Sequence, residues 1–150
     1  DDPSKFGVDR FLAMLGALER FPNSPLLVID TGSAVTFDVI DSQGVHKGGL
    51  IMPGIKALRK SFIKFSTNDL SLKTSELKNS TKEAWQSGTH AMLVSAINSQ
   101  IQNFELQYPD GVVTICGGIV KEILIELPLA VKFFDNLVLD GLESYSQSMG

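Results

Sequence analysis

Four apolar residues, Leu26-Leu27-Val28-Ile29, run directly into Asp30-Thr31-Gly32-Ser33-Ala34-Val35-Thr36-Phe37-Asp38, and the chain turns apolar again at Val39-Ile40. Residues 26–30 and 34–40 read as two strands joined by the Thr31-Gly32-Ser33 turn, so the fold must be built on a sheet. An acid at a strand end, followed by a tight turn with glycine and two hydroxyls, suits a phosphate tail. Turn N–H groups and hydroxyls can donate to phosphoryl oxygens. Asp30 or Asp38 could hold the counter-cation. The stretch is not a P-loop, since the lysine of that motif is absent and the glycines are spaced differently.

Around this hairpin the remaining elements fall into an alternating order. Val8, Phe11, Leu12, Leu15 and Leu18 repeat at helical spacing, which predicts a helix over 8–20, closed by Pro22-Asn23-Ser24-Pro25. Asp41-Ser42-Gln43-Gly44 predicts a second turn with Gly44 at positive φ, leading to a third strand, 45–52, interrupted by Gly48-Gly49 and ended by Pro53-Gly54. Two glycines in one strand weaken it, which implies that something needs the space. A helix is predicted over 55–65 with Ile55, Leu58, Phe62 and Phe65 on one face. A polar surface loop over 66–79 follows, with Leu70, Leu72 and Leu77 as isolated anchors. Ser80 or Thr81 caps a long helix to about Phe104. Val112–Cys116 reads as a short buried strand, Gly117-Gly118 as a turn into a helix ending near Leu127-Pro128, Asn136–Leu139 as a last strand, and the C-terminus as a helix. The expected architecture is α/β, a mixed sheet with a three-stranded meander flanked by helices. It is not a Rossmann unit, because no G-x-G-x-x-G follows the first strand.

The 150 residues suit one domain, and 43 % apolar content supplies a core. With 17 acidic against 13 basic residues the net charge is −4, which does not steer the chain toward nucleic acid. The local cluster Lys56, Arg59, Lys60 and Lys64 reads as a solvated helix face, part of which a polyanionic substrate could use. Cys116 is the single cysteine, which excludes an internal disulfide and a thiolate zinc site; a buried, inert thiol is expected. There is no signal peptide and no apolar run near the ~20 residues of a membrane span. A cytoplasmic protein without a membrane or nucleic-acid partner is therefore expected. Asp1-Asp2-Pro3-Ser4-Lys5-Phe6 resembles neither an initiator end nor a strand, and the chain reads as a piece of something longer.

Few residues could carry chemistry. Gly7-Val8-Asp9-Arg10 sets a carboxylate beside a guanidinium at a helix start. Asp9 could accept or orient a hydroxyl proton, and Arg10 could fork a substrate carboxylate. Alternatively the two are a helix-terminal charge and a surface arginine. Gly117-Gly118 allows a base or ribose to approach, or is only a tight turn. His46 borders the glycine-rich strand and His90 lies inside the long helix; two histidines do not make a metal cluster, and packed or solvent-facing roles are expected. Trp85 reads as core or subunit contact. Thr81 is a helix cap or a ligand contact. A phosphotransferase and a sensor with the same pocket both fit; a metal-dependent hydrolase using Asp30 and Asp38 lacks visible bridging residues.

At these motifs the chain resembles the type III pantothenate kinases and the related Bvg accessory factors, members of the actin-like (ribonuclease H-like), sugar-kinase-like superfamily. The pattern Gly-x-Asp-Arg-Trp is similar to Gly7-Val8-Asp9-Arg10-Phe11, and Asp-x-Gly-Thr-Ala-x-Thr-x-Asp to Asp30 through Asp38. Gly-Gly-x-Ile-x-Pro-Gly is similar to Gly48 through Gly54, and Ser-Thr-x-Glu-Ala to Ser80 through Ala84, with Gly88 beyond. The resemblance is to the family's C-terminal half and covers nearly the whole chain. It implies a C-terminal actin-like domain over 1–150 of a two-domain kinase whose N-terminal domain lies outside this chain.

The implied reaction is ATP-dependent phosphorylation of pantothenate to 4'-phosphopantothenate, the first step of coenzyme A biosynthesis, with Mg²⁺ and a monovalent cation, K⁺ or NH₄⁺. Asp9 would act on the pantothenate hydroxyl. Gly7, Asp9, Arg10 and Thr81 would contact pantothenate, Thr81 across a homodimer. Asp30, Gly32, Ser33 and Thr36 would bind phosphate, Gly117 and Gly118 adenosine, and Asp30 and Asp38 metal. The family's N-terminal half brings a first phosphate motif, without which this chain alone should be inactive. The family's Gly-Gly-Asp-Ala reads here Gly117-Gly118-Ile119-Val120. A non-catalytic, nucleotide-binding regulatory relative is the alternative, and a kinase for another alcohol the third.

Overall fold

A computed structural model describes residues 7–71 and 73–150; the opening six residues and the anchor expected at Leu72 lie outside the described residues. Five strands form one sheet, β1 (Leu26–Thr31), β2 (Ala34–Ile40), β3 (His46–Pro53), β4 (Val112–Cys116) and β5 (Lys132–Phe133), in the order β3-β2-β1-β4-β5. β1–β2 and β2–β3 are antiparallel, as a meander requires, whereas β4 lies parallel to β1, and β5 parallel to β4. The helices are α1 (Val8–Arg20), α2 (Ile55–Lys60), α3 (Thr81–Gln107), α4 (Val120–Ile123) and α5 (Leu137–Ser148).

Alternation along the strands sorts the core into two layers. Leu26, Val28, Ile40 and Cys116 pack with Ala13, Met14 and Ala17 of α1 and Leu137 of α5. Leu27, Ile29, Val35 and Phe37 pack on the opposite face with Leu93, Ile97 and Ile101 of α3. Leu26 to Ile29 are each 0–2 % exposed. At about 1.5–3 kcal/mol per fully buried aliphatic side chain, these four residues contribute roughly 6–12 kcal/mol to the sheet's stabilisation. Ser80 caps α3 by accepting from the Glu83 N–H, while its own hydroxyl donates to the Glu83 carboxylate at 3.0 Å. Gly44 does take a positive φ, +79°.

Three expected elements differ. Asn136–Leu139 is not a strand: Leu137 opens α5, and the sheet's last strand is the two-residue Lys132–Phe133. Asn136–Leu139 is a short apolar run with no period of its own, and the packing of Leu137 against α1 decides its conformation. The helix expected over 55–65 stops at Lys60, and a separate 3-10 turn covers Ile63–Phe65. The helix after Gly118 is likewise short, Val120–Ile123, continued by a 3-10 turn at Leu124–Glu126.

α1 and α5 cross at Gly16 and Gly141, where a Cβ on either residue would run into the other helix's backbone, at Leu137 and Leu12 respectively. Alanine is favoured over glycine in a helix by about 1 kcal/mol, but rigid backbone cannot yield as a side chain can. Gly16→Ala is therefore expected to destabilise the fold by about 1–3 kcal/mol, read as a lower urea midpoint.

Candidate functional site

Parallel pairing puts the C-terminal ends of β1 and β4 side by side, with Asp30 opposite Cys116. Open α/β sheets bind ligands beyond such strand ends. The turn after β1 and the turn after β4 are locked together. The Thr31 hydroxyl donates to the Cys116 carbonyl at 3.0 Å. Gly117 sits at φ +110°, and a Cβ there would come within 2.6 Å of the Thr31 carbonyl and hydroxyl oxygens, so only glycine fits. A third segment joins them: the Gly54 N–H donates to the Ser33 carbonyl at 3.1 Å. The three glycine-containing segments singled out in the sequence thus meet at one end of the sheet.

A cavity of about 540 Å³ opens beneath this junction on the α3 face, lined by Thr31, Ser33, Arg59, His90, Gly118 and Ile119 among others. Its size suits a small organic ligand. Arg59, expected on a solvated face, is instead 1 % exposed. Its guanidinium donates to the Asp69 carbonyl at 2.7 Å, the Gln86 carbonyl at 3.2 Å and the Thr89 hydroxyl at 3.3 Å. Burial pulls its pKa down, against the charges of Asp69 and Glu122. Lys56, Lys60 and Lys64 remain exposed, as a solvated face requires. The segment between α2 and α3 crosses the cavity and is tied to its far wall by the Lys73–Glu122 ion pair and by the Ser75 hydroxyl donating to Glu126 at 2.6 Å. His90, 1 % exposed, contacts the Glu126 carboxylate at 2.7 Å. Burial would raise the Glu126 pKa, but hydrogen bonds from Ser75 and His90 and the His90 charge outweigh it and hold it below the usual carboxylate range. His90 is thus a packed histidine that also borders the cavity. Trp85 tilts against Phe62 and Phe65 and donates to the Arg59 carbonyl at 3.1 Å.

On the opposite face, strand alternation aligns Asp30, Thr36 and Asp38 beneath the start of α1, with Asp30 opposite Thr36. Asp9 and Arg10 come from the first turn of that helix. Asp38 is 1 % exposed. Its Oδ2 accepts from Arg10 Nε at 3.0 Å and its Oδ1 from Arg10 Nη2 at 2.5 Å, while His46 Nε2 lies 2.8 Å from the same Oδ1. A Cβ on Gly49 would come within 2.5 Å of Asp38 Oδ1 and 2.7 Å of Arg10 Nη2. The space implied by Gly48-Gly49 therefore accommodates this charged pair.

Asp30 contrasts with Asp38. Among the described residues no hydrogen bond or ion pair holds its half-buried carboxylate. Burial raises its pKa, and the nearby Asp9 carboxylate raises it further. Two carboxylates near each other, neither in an ion pair among the described residues, form a donor set of the kind a hard cation takes up. Among the described residues no group of three or more His, Cys, Asp or Glu side chains gathers around one point, so any cation here would need ligand or water oxygens as well. Burial, and then the Asp30 charge, push the Cys116 thiol up to about 12, which keeps it protonated and inert.

Thr81 stands apart from these groups. It is exposed at the start of α3 in a shallow groove with Phe65, Thr67 and Trp85. The Asp38–Arg10–His46 cluster and the buried Arg59 escaped the sequence reading. Gly48-Gly49 was the available signal for the first; helical spacing concealed the second. No helix among the described residues is long and apolar enough to cross a membrane.

The sheet order, its mixed strand directions and the flanking helices define an actin-like ATPase fold. Among solved structures, a Baf-family protein of Campylobacter jejuni superposes with a TM-score of 0.68 at 20 % identity, covering 99 % of this chain and 67 % of that one. MreB5 of Spiroplasma citri, bound to ADP, gives 0.55 at 12 % identity over 96 % of this chain and 60 % of its own. Residues 1–103 match the type III pantothenate kinase family. The type III pantothenate kinase of Herminiimonas arsenicoxydans is 34 % identical over 151 residues, covering 95 % of this chain and 58 % of that protein. That of Xanthomonas campestris pv. campestris is 36 % identical over 148 residues, covering 97 % and 60 %. The chain belongs to the type III pantothenate kinase family, and it spans about three fifths of the length of these curated relatives.

The raised Asp30 pKa has a consequence for stability. Its folded value lies above the ordinary 3.8, so the folded state binds the proton more tightly and stability falls as pH rises through that interval. Asp30→Asn is expected to raise the melting temperature at pH 7, with the gain vanishing below pH 3.8. Thermal scans of both proteins across pH check this.

Proposed function

We propose that this chain forms the C-terminal half of a two-domain kinase that transfers the γ-phosphoryl group of ATP to the primary hydroxyl of pantothenate, giving 4'-phosphopantothenate, the first step of coenzyme A biosynthesis. The observation that carries the reading is the junction at the ends of β1 and β4. One turn, Thr31-Gly32-Ser33, borders the cavity shared with Gly118 on one side and adjoins the Asp30–Asp9 pair on the other. A nucleoside lodged against Gly117-Gly118 would direct its phosphates along that turn, where Ser33 would supply N–H and hydroxyl donors, Thr36 a hydroxyl from β2, and Gly32, whose own N–H is held by the Ala34 carbonyl, room for close approach. Asp9, exposed at the start of α1, is free to approach a substrate hydroxyl. It would orient the hydroxyl and take its proton as the oxygen–phosphorus bond forms and the bridging oxygen leaves with ADP. Arg10, beside it, is suited to the pantothenate carboxylate, with Gly7 leaving the approach open.

Bound Mg²⁺ would offset charge on the phosphates, and Asp30 is the carboxylate best suited to hold it. Asp38, whose oxygens already face Arg10 and His46, would share any K⁺ or NH₄⁺ with those groups. The exposed apolar residues Leu50 and Ile51 of β3 and Phe62 and Ile63 beyond α2 support a homodimer. Thr81 of one copy would then complete the pantothenate site of the other. The absence of a membrane-crossing helix among the described residues is compatible with the cytoplasmic setting of this chemistry. Ile119 in the cavity wall, where the family has an acid, favours the second reading, a regulatory relative that binds nucleotide without turnover.

ADP release by the complete two-half protein with pantothenate, Mg²⁺ and K⁺ tests the kinase reading. Turnover is expected to require pantothenate and to fall by about 10²–10⁴-fold in Asp9→Asn. A folded complete protein that binds ATP and releases no ADP would shift the assignment to the regulatory reading.

A further inference from the structure

The basic residues on and beyond α2 have separate fates. Arg59 is buried among acceptors, the carbonyls of Asp69 and Gln86 and the Thr89 hydroxyl. The Lys64 ammonium lies 5.5 Å from the centre of the Phe65 ring. Lys60 is exposed and stands outside the cavity wall. Lys56 is exposed as well, yet it lines the cavity beneath the β1–β4 junction, together with the Thr31-Gly32-Ser33 turn.

The backbone sets Lys56 there. The Gly54 N–H donates to the Ser33 carbonyl at 3.1 Å. A Cβ on Gly54 would come within 2.6 Å of the Ser33 carbonyl oxygen and 2.7 Å of the Gly32 carbonyl oxygen. The start of α2 is therefore clamped against the turn after β1, and Lys56 follows in the first turn of that helix. Its flexible stem leaves the ammonium able to move over the cavity mouth.

The charges of the cavity wall single out the same residue. Glu122 carries the only carboxylate in the wall among the described residues, and Lys73 pairs with it. Lys56 has no hydrogen bond and no ion pair among the described residues. The turn opposite it brings no positive charge, and part of its donor capacity is spent. The Thr31 hydroxyl donates to the Cys116 carbonyl and the Gly32 N–H to the Ala34 carbonyl. A polyanion lodged against this turn needs positive charge from elsewhere, and a lysine supplies it as a mobile point charge.

We propose that Lys56 binds the phosphate tail of the nucleotide, bringing its ammonium onto phosphoryl oxygens that the Thr31-Gly32-Ser33 turn leaves uncompensated. This rests on the kinase reading above in placing a nucleotide in the cavity, and adds a cationic contact to it.

The test is calorimetric titration of the complete two-half protein with ATP and, separately, with pantothenate, in wild type, Lys56→Ala, Lys56→Arg and Lys60→Ala. Lys60→Ala removes the same charge from the same helix outside the cavity wall. ATP affinity is expected to fall about tenfold in Lys56→Ala and to stay within about twofold of wild type in Lys56→Arg and Lys60→Ala. Pantothenate affinity and melting temperature should be the same in all four proteins. The proposal is overturned if Lys56→Ala binds ATP within about twofold of wild type, or if Lys60→Ala loses as much, since the general charge of α2 would then be responsible. It is also overturned if Lys56→Arg binds as poorly as Lys56→Ala, or if pantothenate affinity and melting temperature fall along with ATP affinity. ADP release, measured on the same samples, separates this inference from the kinase reading. Should wild type show the expected differences in ATP binding and no turnover, the kinase reading fails and the Lys56 contact stands. Should the folded wild type bind no ATP, both fail.

Discussion

Everything in this domain is arranged around one fully enclosed strand. β1 is hydrogen-bonded on both edges, antiparallel to β2 and parallel to β4, and covered on both faces, by α1 and α5 on one side and α3 on the other. A strand so surrounded cannot shift register without moving its whole apolar set out of one layer and into the other. Its C-terminal end is therefore a fixed point in space. The groups that follow it, Asp30 and the Thr31-Gly32-Ser33 turn, inherit that rigidity. In the kinase reading, a site that holds phosphates and a reacting hydroxyl in line gains from being placed there rather than on a mobile loop.

Around that fixed end, close backbone approach matters as much as side chains. Gly117 brings the β4 turn onto Thr31, Gly54 brings the segment after β3 onto Ser33, and Gly49 admits the Arg10–Asp38 pair. Each uses the missing side chain in a different way: a left-handed backbone at Gly117, tight contact with a neighbouring turn at Gly54, and clearance for a guanidinium at Gly49. The charged groups divide accordingly. Asp38 and Arg59 are buried and surrounded by partners, so they set geometry. Asp30, by contrast, is half-buried with no ion pair among the described residues, and the Asp9 charge acts on it, an arrangement that perturbs its titration.

The division between faces is also informative. Asp9, Arg10, Asp30 and Asp38 belong to the α1 side of the sheet, whereas Arg59, His90 and Ile119 line the cavity on the α3 side. The turn after β1 adjoins both sets. In the kinase reading, that turn is where donor and acceptor substrates approach each other, one from each side.

The sequence by itself determined the meander, the long capped helix and the identity of the glycine-rich segments, because hydrophobic period, turn chemistry and capping are local properties of the chain. It also placed Asp9, Arg10 and Asp30 as the reactive candidates. Only the tertiary structure decided that Asn136–Leu139 joins a helix, because the packing of Leu137 and Gly141 against α1 outweighs the local run. Likewise, Arg59 and Lys60 are adjacent on one short helix, and nothing in the spacing says which of them the crossing loop and α3 will enclose. Arg10, Asp38 and His46 lie on three separate elements, and Asp38 and His46 meet through a strand bulge. Side chains that converge from distant positions leave no period in the sequence, so the partners of a buried charge become visible only when the chain has closed around it.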